Sequence, residues 1–189
     1  MADGYELGDL REACESGDAA AVQAALLAGG DPDDPAERQS DGHRMEPPLL
    51  RAARKGYAEV VQLLVQRGGA NVDASDKYNG NTALMRSASK GRAQVVRVLL
   101  GEGANTEKPD DNGRTALMYA AKHGDEASAL ALLDAGASVV AADHDGDTPM
   151  EYARMFGREE SSKSQKAIIM LFEAWRMGFA AGQRGNAEK

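Results

Sequence analysis

The chain has 189 residues, 42% of them apolar and 28% charged, which is ordinary composition for a globular body able to bury a core. Its 30 acidic residues outnumber 22 basic ones, and the resulting charge of −8 argues against a general binder of nucleic acid or anionic membrane, since such surfaces are usually basic. The single cysteine, Cys14, allows neither an internal disulfide nor a structural zinc site, so a reducing compartment is expected.

The opening Met-Ala-Asp-Gly-Tyr-Glu lacks the basic and apolar regions of a secretory signal. The most apolar run, 167–181, is interrupted by Glu173 and Arg176 and is too short to cross a bilayer. A cytoplasmic protein without a membrane partner is expected, with the nucleus as the alternative.

Residues 5–31 read as a worn first unit of a repeat. Leu10, Ala13, Cys14 and Gly17 stand where Leu117, Ala120, Ala121 and Gly124 stand later, and Asp9 with Glu12 has the spacing of a capping box. Cys14 falls at a small, packed position, so it reads as an alanine substitute and not as a nucleophile. From Gly17 to Gly56 is 39 residues, six more than the period found below, and the excess makes an insertion at 31–46 rich in Pro, Asp, Ser and Gly. That composition marks a loop, either an acidic binding finger or a spacer.

The second unit, 47–76, carries Leu49, Ala52, Ala53 and Gly56 on the same template, with Pro47 in place of a threonine cap and Pro48 suited to the first helical position. Units 77–109 and 110–142 are the most regular. Gly80, Gly113 and Gly146 recur every 33 residues, each two residues before Thr82, Thr115 or Thr148. The threonines are expected to cap a first helix, Gly91 and Gly124 to turn the chain between antiparallel helices, and Gly103 and Gly136 to end the second helix in the left-handed region. A fixed period of this length implies stacked units, each burying its apolar face only against its neighbours.

The fifth unit, 143–181, opens with Thr148-Pro-Met-Glu, which predicts a capped helix with Glu151 closing a capping box. The polar run 158–165 breaks the pattern, and the second helix is expected from about Lys166, with Ile168, Leu171, Phe172, Trp175 and Phe179 at helical spacing. This segment reads as a C-terminal cap, or alternatively as an amphipathic helix for a partner, and 182–189 as a disordered tail.

Period, glycine placement and the Thr-Ala-Leu-Met and Thr-Pro-Met-Glu entries together resemble the ankyrin repeat, over about residues 5–160. The resemblance implies a single all-α domain: an ankyrin-repeat solenoid of stacked helix-turn-helix units with β-hairpin-like loops, a concave face of loops and inner helices, and a C-terminal capping helix. It departs from the family at Leu50, Met85, Met118 and Glu151, where a histidine is usual. It departs again at Asp73, Glu107 and Val140, where the hairpin often carries asparagine, so asparagine hydroxylation has no obvious acceptor there.

If that geometry holds, the residues the core does not need form rows on the concave side. These are Arg51, Arg54, Lys55, Arg86, Lys90, Lys122 and His123, then Tyr119, Tyr152, Met155 and Phe156, with Tyr78, Arg114 and His144 added from the loops and the repeat entry. They predict a basic and aromatic groove, more apolar towards its C-terminal end, for a protein or peptide with acidic and apolar elements. A stoichiometric inhibitor or targeting subunit of an enzyme such as a kinase is the second reading, and a concealed enzyme the third. A monomer without cofactor or metal is expected. His43, His123 and His144 show no metal-ligand spacing, and Asp143-His-Asp-Gly-Asp147 starts like a calcium loop but has Arg154 where the closing glutamate belongs.

Overall fold

Most helices in this chain are short, with a glycine within three residues of their ends. The computed structural model describes residues 9–33, 46–156 and 163–185. The first unit is α1 (Asp9–Ser16) and α2 (Ala19–Leu27), the second α3 (Pro48–Lys55) and α4 (Ala58–Gln66), and the third α5 (Ala83–Ala88) and α6 (Ala93–Gly101). The fourth is α7 (Ala116–His123) and α8 (Glu126–Asp134), and the fifth α9 (Pro149–Phe156) and α10 (Lys163–Gly185).

The odd-numbered helices pack on one another in order, and the even-numbered ones form a second layer behind them. Between the layers lies one continuous core. Leu10, Leu49, Leu84 and Leu117 anchor the odd layer, and alanines such as Ala53, Ala88, Ala121 and Ala153 let its helices approach closely. Val60, Val61, Leu64, Val95, Val96, Leu99, Leu132 and Leu133 fill it from the even layer. Burying a leucine side chain contributes about 1.5–3 kcal/mol, so each unit depends on a neighbour to cover it. Cys14 belongs to this core, and burial pushes its thiol up to about 12, as expected of a packing residue.

The caps follow the sequence only in part. Thr82 Oγ1 accepts from the Met85 amide at 3.3 Å, and Glu151 Oε2 accepts from the Thr148 amide at 3.1 Å. At Thr115 the capping box is closed by sulfur, with the Thr115 backbone N–H donating to the Met118 sulfur at 3.4 Å. The capping box expected from Asp9 and Glu12 lies at the edge of the described residues, where α1 is followed from Asp9 onward.

The loops between units are turns and not strands; among the described residues the sole β-bridge joins Ser75 to Thr82. Three of them close on themselves, with Asp76 N to Asn81 O at 2.9 Å, Asp110 N to Arg114 O at 2.9 Å and Asp143 N to Asp147 O at 3.1 Å. Successive tips are then tied by Asp111 N to Asn79 O at 2.9 Å and His144 N to Asn112 O at 3.0 Å. Gly80 and Gly113 make this docking possible. Both have positive φ, and a Cβ there would lie 2.6 Å from Asp111 Oδ1 and 2.9 Å from His144 N respectively.

Helix α10 starts at Lys163, takes the place of a second helix behind α9 and packs on α8 and α9. It runs to Gly185, which reaches into the segment 182–189 expected as the tail. The insertion at 34–45 with His43, residues 5–8, 157–162 and 186–189, and the side chains of Phe156 and Phe179 lie outside the described residues.

Candidate interaction surface

Three described hairpins are each organised around one buried carboxylate. Asp76, Asp110 and Asp143 sit at equivalent places, and a single oxygen of each accepts two loop amides. Asp76 Oδ1 takes Tyr78 N and Asn79 N, Asp110 Oδ1 takes Asn112 N and Arg114 N, and Asp143 Oδ1 takes Asp145 N and Asp147 N. The second oxygen faces the inner helix, where one position in each unit answers it. In the third unit that is Arg86, whose Nη2 donates at 2.8 Å; in the fourth it is the Tyr119 hydroxyl at 2.8 Å, and in the fifth the Tyr152 hydroxyl at 2.7 Å. These short bonds to a carboxylate are the stronger kind.

This corrects the sequence reading of Arg86, Tyr119 and Tyr152 as an exposed row. Tyr152 is only 9% exposed and Tyr119 half-buried, because their hydroxyls hold the hairpins. Burial first, and then the carboxylate beside each, raise both phenols, Tyr152 to about 12. Burial alone would raise Asp143, but the Tyr152 hydroxyl and the Asp147 and Asp145 amides outweigh it and hold the carboxyl below its ordinary range. Arg114 is engaged too, with Nε 2.8 Å from Asp110 Oδ2 and its guanidinium over the Tyr119 ring, 5.3 Å from the centroid.

The basic row of the first two units is also paired within the chain. Arg51 Nη1 lies 3.0 Å from Glu15 Oε2, Lys55 pairs with the same carboxylate, and Arg54 Nε lies 2.9 Å from Glu46 Oε2. Glu46 also reaches Arg86, with its Oε1 3.4 Å from Nε. Hydrogen bonding to Lys55 is the main cause holding Glu15 below its ordinary range, with Arg51 adding to it. The expected groove is therefore largely neutralised by its own glutamates over its N-terminal half.

The C-terminal half differs. Lys90 is exposed and makes no ion pair among the described residues. Lys122 and His123 end α7 one repeat further along. Burial first, and then the charges of Lys122 and Lys90, lower the proton affinity of His123, so the three groups share one positive region. Lys122 and His123 lie in the last turn of α7, which suits the negative end of that helix, and Lys90 lies in the turn just past α5. Met155, one repeat beyond Lys122, is 40% exposed, and Tyr78 and His144 are exposed at the hairpin tips.

A second set of carboxylates was missed as functional framework. Asp33 Oδ2 accepts from Asn71 N, Asp73 Oδ1 from Asn105 N and Glu107 Oε1 from Ser138 N, each at 2.9 Å. Asp73 and Glu107 are the hairpin positions where asparagine was looked for, so an acid acceptor does the linking between units. Val140 has no such acceptor and ends the series.

The two-layer stack with glycine-punctuated loops is that of a helical-repeat protein. A family model of ankyrin repeats, in three copies, matches residues 10–110 and 102–164, and the chain belongs to the ankyrin-repeat family. Ankyrin repeats generally mediate protein–protein interaction. No curated protein matches the sequence. Among the described residues no helix is long and apolar enough to cross a membrane, and no group of three or more His, Cys, Asp and Glu could hold a metal ion.

Proposed function

We propose that this chain is a non-catalytic protein-binding module that holds an acidic segment of a partner across the turn ends of α5 and α7. Lys90, Lys122 and His123 receive its carboxylates, and Met155 offers an apolar neighbour on the next unit. The observation that carries this reading is the contrast in pairing. Five cations, Arg51, Arg54, Lys55, Arg86 and Arg114, are paired with carboxylates of the chain, whereas Lys90 makes no ion pair among the described residues and, after burial, joins Lys122 in depressing the proton affinity of His123. A concave, positive surface attracts an acidic segment despite a net charge of −8, because the local field decides the encounter.

The shifted groups favour binding over catalysis. Cys14 is raised, which disarms a thiol, and the raised tyrosines are accounted for by their hairpin carboxylates. The test is quantitative affinity purification with the wild-type chain and a Lys90→Glu/Lys122→Glu variant. The variant is expected to melt like the wild type and to lose the partners that the wild type retains. An unchanged partner profile would overturn the assignment.

A further inference from the structure

The outer side of α10 is built unlike an end cap. The helix buries Gln165, Ile168 and Phe172 against the stack, and Trp175 packs at the edge of the same core. Its opposite side carries Met170, 70% exposed, Ala174, also exposed, and Met177, 69% exposed. The spacing i, i+4, i+7 makes these one stripe. Beside it, Leu171, Ala174, Trp175 and Gly178 line a hollow of about 370 Å³, large enough for a side chain. Terminal units of repeat stacks ordinarily turn a polar face to water, so capping explains the inner side of α10 and not the outer one. Methionine is the residue whose flexible thioether suits an adaptable contact surface.

Charge selects the occupant. Lys163, Lys166 and Arg176 are exposed and make no ion pair among the described residues, while Glu173 is the single carboxylate of the helix. This is a cationic, apolar strip on a chain of net charge −8. A second copy meeting it face to face would set Lys163, Lys166 and Arg176 against their own kind, with Glu173 alone to answer them. An anionic membrane would be repelled by the rest of the chain. An apolar centre with a carboxylate rim satisfies both features.

We propose that the outer face of α10 docks an acidic amphipathic helix of a partner protein along Met170, Ala174 and Met177, with one of its apolar side chains in the hollow beside Trp175. This contact is separate from the surface at Lys90 and Lys122 and stands or falls without it.

Trp175 is the one tryptophan of the chain, so its emission reports the contact. The probe is a synthetic helical peptide of about five turns with leucine on one face and glutamate on the other, titrated into the full chain. Controls are the same peptide with lysine for glutamate, vesicles of phosphatidylserine and phosphatidylcholine, and the chain alone in analytical ultracentrifugation. A saturable blue shift with the glutamate peptide is expected, weakened by salt, weakened on the order of tenfold or more by Met170→Glu/Met177→Glu, and retained in Lys90→Glu/Lys122→Glu. Should the methionine variant melt early, Lys163→Glu/Lys166→Glu/Arg176→Glu decides by the same loss. Overturning results are no saturable response to the glutamate peptide, an equal response to the lysine peptide, a response to vesicles alone, a dimer that already covers Trp175, or undiminished binding by the charge variant.

Discussion

The two halves of the inner-helix layer meet the same structural demand with different chemistry. In the third unit the hairpin carboxylate Asp76 is answered by a cation, Arg86, which Glu46 also engages. In the fourth and fifth, Asp110 and Asp143 are answered by the neutral hydroxyls of Tyr119 and Tyr152. Arginine at that place is tied into the fold, and its neighbours Arg54, Lys55 and Arg51 are tied to Glu46 and Glu15. Towards the other end, Lys90 makes no ion pair among the described residues, and burial, then the charges of Lys122 and Lys90, lower the proton affinity of His123. A cation is available to a partner only where the fold has not already used it.

The largest expected effect comes from removing the anchor common to both halves. Asp110→Ala strips the acceptor from Arg114, Tyr119 and two loop amides, all at a carboxylate that is only 4% exposed, and should cost about 3–5 kcal/mol in urea unfolding. A loss below about 1 kcal/mol would mean that the hairpin does not depend on it. Leu117→Ala, in the middle of the odd layer, should cost about 2–5 kcal/mol through the cavity it leaves, read from the same transition.

Tyr152→Phe removes one donor to a carboxylate and should cost about 1.5–3 kcal/mol. It also has a pH signature. A phenol raised to about 12 in the folded state stays protonated where the unfolded phenol, at about 10, has ionised. The stabilisation is therefore full below pH 10 and is lost as pH rises towards 12. Tyr152→Phe should flatten that alkaline fall in melting temperature, and an equally steep fall would remove Tyr152 from the account. Glu15→Gln tests the weaker pairings of the N-terminal half. Its partners are part-exposed, so about 0–1 kcal/mol is expected, with the difference shrinking in high salt.

The period, the glycines and the apolar positions made the stack legible in the sequence, because each has a physical reason that holds in every unit. Leu117 and Ala121 are buried as the pattern requires, and the place of α10 behind α9 follows from the apolar spacing of Ile168 and Phe172. The surface was less legible. Arg86, Tyr119 and Tyr152 occupy one repeat position and look alike as leftovers, but their use depends on Asp76, Asp110 and Asp143, ten or nine residues away across a turn. The pairing of Arg51 with Glu15 spans 36 residues and one repeat interface, so no local pattern announces it.

The central claim is that Arg86 serves the fold whereas Lys90, one turn along the same inner layer, does not. Urea unfolding of Arg86→Ala and Lys90→Ala side by side tests it most directly. Arg86→Ala should lose about 1–3 kcal/mol, because it leaves a buried oxygen of Asp76 unanswered, and Lys90→Ala should stay within about 0.5 kcal/mol of the wild type. Equal losses in the two variants, or a larger one at Lys90, would contradict the account.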